Sequence, residues 1–442
     1  KTPAFDRVAK AGALVHTCLA GSPGCSPSRA ALLTGRHPWQ IEQAGTHASS
    51  FPKTYQVYPD ILEQAGYFVG YTGKGWGPGN WKASGRDRNP CGPVFSDIRG
   101  DAPQGINRID YAANFAKFLN EKPADAPFCF WYGATEPHRA YKKGAGLEQG
   151  KKLADARVPS FLPDTPEIRS DILDYYVEIE WFDSHLARIL NTLEETGELD
   201  NTLVIVTADN GMPFPRAKAN GYEFGVHVPL AIMWNGVIAP GTEIRAPVDF
   251  VDFAPTILEA VGMSKSIAMT GDSLLPLIHG EPKTLGPAFS SRERHSSSRH
   301  DNLTYPIRSM RTDDYLLIWH ARPDRWPAGD PPGVKGDAFG YYDIDGCPSK
   351  TFLWENRDDP KLGEYFRLAV DKRDEWELYD ARTDTGNLHN LATDSQYKET
   401  FETLRSQMID YLRKTGDPRV IDGGEIFESY IRYSAIREFP AE

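Results

Sequence analysis

The sequence has few cysteines and no long apolar run. Its five cysteines, Cys18, Cys25, Cys91, Cys129 and Cys347, are scattered over 442 residues. That number and spacing exclude a disulfide framework or a zinc site and leave room for one bridge. No apolar stretch approaches the length of a membrane span. The chain is therefore neither a small disulfide scaffold nor a membrane-spanning protein.

Basic residues are also fewer than acidic residues. Lys and Arg number 49 against 61 Asp and Glu, so the formal net charge is −12. An acidic protein is a poor partner for nucleic acid, and we expect no such partner. If the chain binds an anion, it must gather its cationic side chains locally in the site.

What the sequence does contain is an alternation of apolar runs with helical patterns. Apolar runs at 67–70, 128–132, 203–206 and 230–233 predict buried strands. Helical spacing at 58–65, 111–119, 167–196 and 250–261 predicts the helices between them. This order is typical of an α/β fold, and we expect a large doubly wound mixed sheet between helices. Ligands of such folds bind beyond the carboxyl ends of the strands.

A smaller second domain is predicted near the C-terminus. A chain of this length favours one large domain with a smaller one, and the Ser-, Arg- and His-rich stretch 292–301 separates them. We place the boundary at 303, giving domains 1–303 and 304–442. The second is predicted to be α+β, with strands near 305–310, 315–319 and 376–379 and a helix at 397–414.

The most informative motif is CSPSRAALLTGR, residues 25–36. Pro27 suits a first helical turn, so Cys25 is predicted to face the positive end of a helix dipole, where an anion is favoured. A capped helix over an inert cysteine is the structural alternative. The string resembles the signature of the type I sulfatases, in which this cysteine is oxidised to formylglycine. The resemblance implies an alkaline phosphatase-like fold, with Cys25 as the nucleophile, supported by Arg29.

The second motif is TADNG, residues 207–211, which follows a predicted strand. Its carboxylate and amide oxygens suit a hard cation, although Asp-Asn-Gly is also a common turn. The resemblance implies that Asp209 and Asn210, together with Cys25, bind a calcium ion. It also implies two adjacent aspartates on an earlier strand. No such pair precedes Lys1, so we expect the first metal-binding strand to be missing.

Two lysines are implied as sulfate ligands. Lys218, nine residues beyond Asp209, and Lys74, in a Gly-Lys-x-His-like element, match cationic positions of the family. The histidine of that element is Trp76 here, which is a departure from the family. A dinucleotide-binding loop is disfavoured because Pro78 and Asn80 stand where a third glycine would fall.

The string TEPHR, residues 135–139, resembles the Pro-His element of the family. The resemblance implies that His138 donates a proton to the leaving group, a role suited to imidazole. Glu136 and Arg139 are then expected to face substrate. His227 and His300, with His295, are further candidates for sugar contacts. A buried structural histidine or surface histidines would explain the same residues.

Strings outside the site, such as DNGMPFP at 209–215 and WELYD at 376–380, resemble the sulfamidase (heparan N-sulfatase) group. The main hypothesis is a periplasmic or secreted sulfatase that hydrolyses sulfate esters on a carbohydrate or polysaccharide, after a sulfatase-maturation enzyme has converted Cys25. The alternatives are a sulfamidase, a phosphonate or phosphate monoester hydrolase, and a sulfated-glycan-binding protein without turnover.

Overall fold

The computed structural model describes residues 1–281, 286–332 and 339–439. Its helices are α1 Pro3–Ala11, α2 Cys25–Thr34, α3 Tyr58–Gln64, α4 Tyr111–Glu121, α5 Ala145–Glu148, α6 Pro166–Glu195, α7 Glu223–Val226, α8 Phe253–Ala260, α9 Leu275–Ile278, α10 Pro348–Glu355, α11 Gly363–Val370, α12 Lys398–Lys414 and α13 Pro418–Ile421. Its strands are β1 Ala13–Leu19, β2 Phe68–Gly73, β3 Phe128–Gly133, β4 Val204–Thr207, β5 His227–Met233, β6 Thr242–Ile244, β7 Val248–Asp249, β8 Ala288–Arg292, β9 Ile307–Arg311, β10 Tyr315–His320 and β11 Trp376–Asp380.

The central sheet is mixed, as predicted. Its order is β4-β5-β1-β6, with β7 also beside β1. Strand β1 runs parallel to β6 and β7 but antiparallel to β5, which is antiparallel to β4. The sequence analysis found β4 and β5 but missed β1, whose apolar residues are interrupted by His16 and Thr17.

Strands β2 and β3 form a separate parallel pair. Phe68 lies opposite Phe128, and Gly73 lies opposite Gly133, so both strands end at the same edge. The backbone N–H of Lys74 donates to the Gly133 carbonyl at 2.5 Å. The pair therefore delivers Lys74 and the segment that carries His138 to one side of the molecule.

The four predicted helices of the large domain are present. The predicted helix at 250–261 is divided into a 3₁₀ turn, Phe250–Asp252, followed by α8. Helix α2 is buried along its whole length, in the core between the central sheet and α8. No helix among the described residues combines the length and the apolar character needed to cross a bilayer.

The smaller sheet is antiparallel, with the order β11-β10-β9-β8. Leu404, Met408 and Leu412 of α12 pack on it beside Leu317 and Leu378. The predicted strands and helix of the C-terminal unit are thus confirmed. Residues 333–338 and 440–442 of that unit lie outside the described part. Strand β8 belongs to this sheet although it precedes residue 303 in the chain. The domain boundary at 303 stays a prediction.

Candidate active site

Cys25 is the first residue of α2, as the motif predicted. Gly24 before it is extended, and no side chain caps this helix end. The first backbone N–H groups of a helix lack intrahelical partners, so the positive end of the dipole lies at Cys25. The side chain is 3% exposed. The small side chain of Cys25 thus lies buried at an electropositive position.

Arg29 lies one turn after Cys25 and connects three segments. Its Nε donates to Asp209 Oδ2 at 2.7 Å, and its Nη1 donates to the carbonyls of Lys74 and Gly75, each at 2.6 Å. These segments are α2 itself and the residues that directly follow β2 and β4. The guanidinium therefore fixes the relative positions of α2, Lys74 and Asp209.

Two lysines converge on this centre. Lys74 Nζ is 3.8 Å from Asp209 Oδ2. Lys218 Nζ donates to Asp345 Oδ2 at 2.7 Å, and its side chain is 5% exposed. Burial acts to lower the pKa of Lys218, but Cys25 and Asp345 outweigh it and raise the pKa. The ammonium group thus stays charged inside the pocket.

The neighbouring cations also lower the pKa values of the acidic groups of the site. Burial acts to raise the pKa of Asp209, but Arg29, Lys74 and Lys218 hold it well below its ordinary value. Burial likewise acts to raise the pKa of the Cys25 thiol, yet the cations Lys74 and Lys218 leave it lowered. The site is therefore built to hold negative charge at residue 25.

His138 lies at the rim, with its ring partly exposed. Its Nδ1 is 2.5 Å from the Arg139 carbonyl. A carbonyl only accepts, so Nδ1 carries hydrogen and Nε2 is left to exchange a proton with a ligand. Burial and then Lys218 lower the pKa of His138.

Asn210 meets the requirement of a metal ligand. Its Nδ2 donates to the Gly211 carbonyl at 2.9 Å, while its buried Oδ1 has no hydrogen-bond partner among the described residues. Buried oxygens without partners are rare and call for one. Next to the ionised Asp209, this oxygen fits a hard cation such as calcium. Within the described residues, no three His, Cys, Asp or Glu side chains form a metal cluster.

The predicted substrate contacts of Glu136 and Arg139 need correction. Glu136 accepts from the Asn107 N–H at 2.8 Å and from the Tyr111 hydroxyl at 2.7 Å. Arg139 binds both oxygens of Asp171, at 2.8 and 2.9 Å. Since both groups are already occupied by buried internal partners, we assign them to the framework of the site.

His227 and His300 are corrected for different reasons. Both ring nitrogens of His227 are engaged, by Glu223 Oε1 at 2.8 Å and by the His16 carbonyl at 2.9 Å. His300 is 43% exposed and pairs with Asp301 at 3.2 Å. The structure thus supports neither as a ligand of the pocket.

Arg139→Met tests this correction. Asp171 is 1% exposed, and loss of its cation leaves a buried carboxylate, so the free energy of unfolding should fall by about 3 kcal/mol. Denaturant unfolding measures this value. Arg413→Met, which removes an exposed pair with Asp410, is the control and should change stability little. A stable Arg139 variant with a raised KM would restore Arg139 as a substrate ligand.

Sequence reasoning missed two residues here, Asp345 and His47. Asp345 reaches Lys218 across 127 positions of chain. The rings of His47 and His295 pack with centroids 4.6 Å apart. His295 entered only as a weak candidate, and no local motif marks Asp345 or His47. Contacts between distant segments could be found only in the folded chain.

The family profile for sulfatases matches residues 1–263, more than half of the chain. The chain belongs to the sulfatase family. A second profile, the C-terminal region of N-sulphoglucosamine sulphohydrolase, matches residues 217–330. Together with the site, these matches identify a sulfuric ester hydrolase.

Characterised relatives align over almost the whole chain. Human N-sulphoglucosamine sulphohydrolase is 29% identical, over 95% of this chain and 86% of the relative. An ulvan-active sulfatase of Formosa agariphila is 26% identical, over 96% of this chain and 73% of the relative. An N-acetylglucosamine-6-O-sulfatase of Bacteroides thetaiotaomicron is 25% identical, over 95% and 83%.

Solved structures confirm the fold. One, in complex with its substrate D-glucosamine-2-N,6-O-disulfate, superposes with a TM-score of 0.66 at 20% identity, covering 95% of this chain and 94% of that one. A 2-O glycosaminoglycan sulfatase gives 0.64 at 15% identity, covering 98% and 91%. The protein thus has the alkaline phosphatase-like fold of the sulfatases.

Proposed function

We propose that this sulfatase removes sulfate from a sulfated carbohydrate by means of a formylglycine made from Cys25. One observation carries the proposal, namely that a buried reacting side chain at a helix N-terminus shares its pocket with Arg29, Lys74, Lys218 and an ionised Asp209. Three cations around one small site suit the charge and size of a sulfate group.

The residues of the chain divide the work. Lys74 and Lys218 bind the sulfuryl oxygens and stabilise the charge that develops on them. Arg29 orients Asp209 and the start of α2. Formylglycine would supply a hydrated aldehyde whose hydroxyl group attacks sulfur. Asp209 Oδ and Asn210 Oδ1 would hold a divalent cation, proposed as calcium, which would act as a Lewis acid on sulfate oxygens.

His138 donates the proton that the leaving oxygen or nitrogen requires. Its Nε2 is left without an internal role by the bond between Nδ1 and the Arg139 carbonyl. Asp345 holds Lys218 beside it, so the cation and the proton donor share one wall of the pocket. The protein thereby places nucleophile and acid around one bound sulfate.

The pH profile of kcat/KM should show the titration of His138 below neutral pH. Only the imidazolium donates a proton, and burial with Lys218 holds its pKa below the ordinary value of 6.5. Activity on an alkyl sulfate should therefore fall as pH rises through that pKa. A nitrophenyl sulfate, whose leaving group needs no proton, is the control and should lack this limb. A limb centred above 6.5 would contradict the assignment.

The substrate class is proposed from the relatives, whose names include N-sulphoglucosamine and ulvan substrates. The N-sulphoglucosamine sulphohydrolase match at 217–330 favours an N-sulfated amino sugar as the second candidate. We further propose a periplasmic or secreted location and a sulfatase-maturation enzyme as partner.

Peptide mass spectrometry of residue 25, after production with a maturation enzyme, tests the proposal together with sulfate release from O- and N-sulfated oligosaccharides. We expect formylglycine and release from one sugar class. Hydrolysis of a phosphonate monoester in preference to every sulfate would favour the phosphonate alternative. Glycan binding without release from fully converted protein would favour the non-catalytic alternative.

A further inference from the structure

Trp76 closes the place from which the family element would present an imidazole. Its indole Nε1 donates to the Ser26 carbonyl at 3.0 Å, and its backbone is bonded to the Asn89 side chain in both directions. The ring is 3% exposed and packs edge-on against Phe51. An indole N–H cannot accept a proton, so residue 76 supplies no base.

His47 lies on a loop that is attached to the same serine. The Ala48 N–H donates to Ser26 Oγ at 3.1 Å, so the loop sits over the first turn of α2. Trp76 thus binds the carbonyl group of Ser26, and the His47 loop binds its hydroxyl group. His47 directly precedes Ala48, so the residue lies beside the first turn of α2, which begins at Cys25.

His295 places a second imidazole next to Gly24, the residue before Cys25. Its Nδ1 would lie 2.8 Å from a Cβ placed on Gly24, so its ring rests directly on the residue before Cys25. The ring also packs on His47 at 4.6 Å. Both histidines are more than nine-tenths buried. We call these two residues the histidine pair.

The buried Nδ1 of His47 has no hydrogen-bond partner among the described residues. A buried polar atom without a partner costs about 1–3 kcal/mol. The atom therefore needs a partner that the described residues do not supply. Burial, then Arg432, Lys218 and Lys74, lower the pKa of His47, so its ring is neutral and able to accept hydrogen.

The C-terminal segment fixes the histidine pair. Arg432 Nη1 donates to the His295 carbonyl at 3.1 Å, and the Tyr433 N–H donates to the Ala48 carbonyl at 2.7 Å. One short segment therefore bridges the two loops that carry the pair. The arrangement is a built feature of the fold rather than a chance contact of two surface rings.

We infer that the histidine pair replaces the imidazole missing at residue 76, with His47 as the further catalytic residue. The inference rests on the proposed function. When sulfate is released, the remaining hydroxyl of residue 25 loses its proton to a ring nitrogen of His47. The C=O bond forms as the C–O bond to sulfate breaks, and sulfate leaves with that electron pair. The charge of bound sulfate offsets Lys74 and Lys218, which strengthens the base.

His47→Gln and His47→Asn test the inference, because each keeps one hydrogen-bonding position of the ring but cannot accept the proton. We expect kcat to fall about 100-fold or more with KM little changed. Sulfate should be retained on the residue 25 peptide in mass spectra. The thermal stabilisation by inorganic sulfate should persist. His389→Gln, on the exposed surface, is the control and should match the parent enzyme.

Full kcat in folded His47 variants, without retained sulfate, would overturn the inference and leave the proposed function intact. Absence of sulfate release by the fully converted parent enzyme would instead overturn the proposed function. If both variants unfold, nitrogen NMR of the parent enzyme decides. Inorganic sulfate should shift the ring signals of the histidine pair, and unchanged signals would contradict the inference.

Discussion

Cys25→Ala is expected to lose sulfate release by a factor on the order of 10⁴ or more. Removal of a nucleophile leaves only the stabilisation that the rest of the site provides. Cys25, the proposed reacting residue at the start of α2, has its pKa lowered by Lys74 and Lys218 against the effect of burial. Sulfate release from the best substrate of the panel measures the change.

Cys129→Ala is the matched control. Cys129 lies in β3, and burial raises the pKa of its thiol to about 12, so the thiol stays protonated at neutral pH. The control should keep its activity after correction for folded protein. Equal activity of Cys25→Ala and the parent enzyme would exclude the formylglycine mechanism.

Asp209→Asn is expected to lower kcat/KM by about 1000-fold. The change removes a carboxylate that accepts from Arg29 at 2.7 Å and lies 3.8 Å from Lys74 Nζ. Arg29 and Lys74 then lack their carboxylate partner, and the proposed calcium loses an ionised ligand. Calcium titration followed by thermal unfolding should show a lost stabilisation beside the lost activity.

Asp60→Asn provides the comparison for this change. Asp60 pairs with Arg86 and Arg88, away from the residues of the pocket. Its variant should keep both activity and calcium response. A full calcium response in the folded Asp209 variant would place the cation elsewhere.

The sequence predicted the elements well where local pattern decides them. Strands β2 to β5 and the long helix α6 were found within a few residues, because their apolar runs and end signals are local. Strand β1 escaped because its seven residues include His16 and Thr17 and its pairing with β5 spans more than two hundred positions. Such pairing leaves no local trace.

The site was predicted in part. The resemblance led to Cys25, Arg29, Lys74, Asp209 and Lys218, and the structure brings these residues together. Glu136, Arg139 and His227 proved to have internal partners. A charged or imidazole side chain near a motif looks the same in a sequence whether it faces substrate or Asp171.

The sequence by itself determined the resemblance on which the proposed chemistry of this protein rests. The CSPSRAALLTGR string and the Asp-Asn pair prescribe a reacting residue at a helix start and oxygen ligands after a strand, because backbone preference and side-chain type act over a few positions. Only the tertiary structure decided which cations reach residue 25, that Asp345 holds Lys218, and that His47 and His295 meet beside Gly24. Those contacts join segments far apart in the chain, and their energies exist only once the chain has folded.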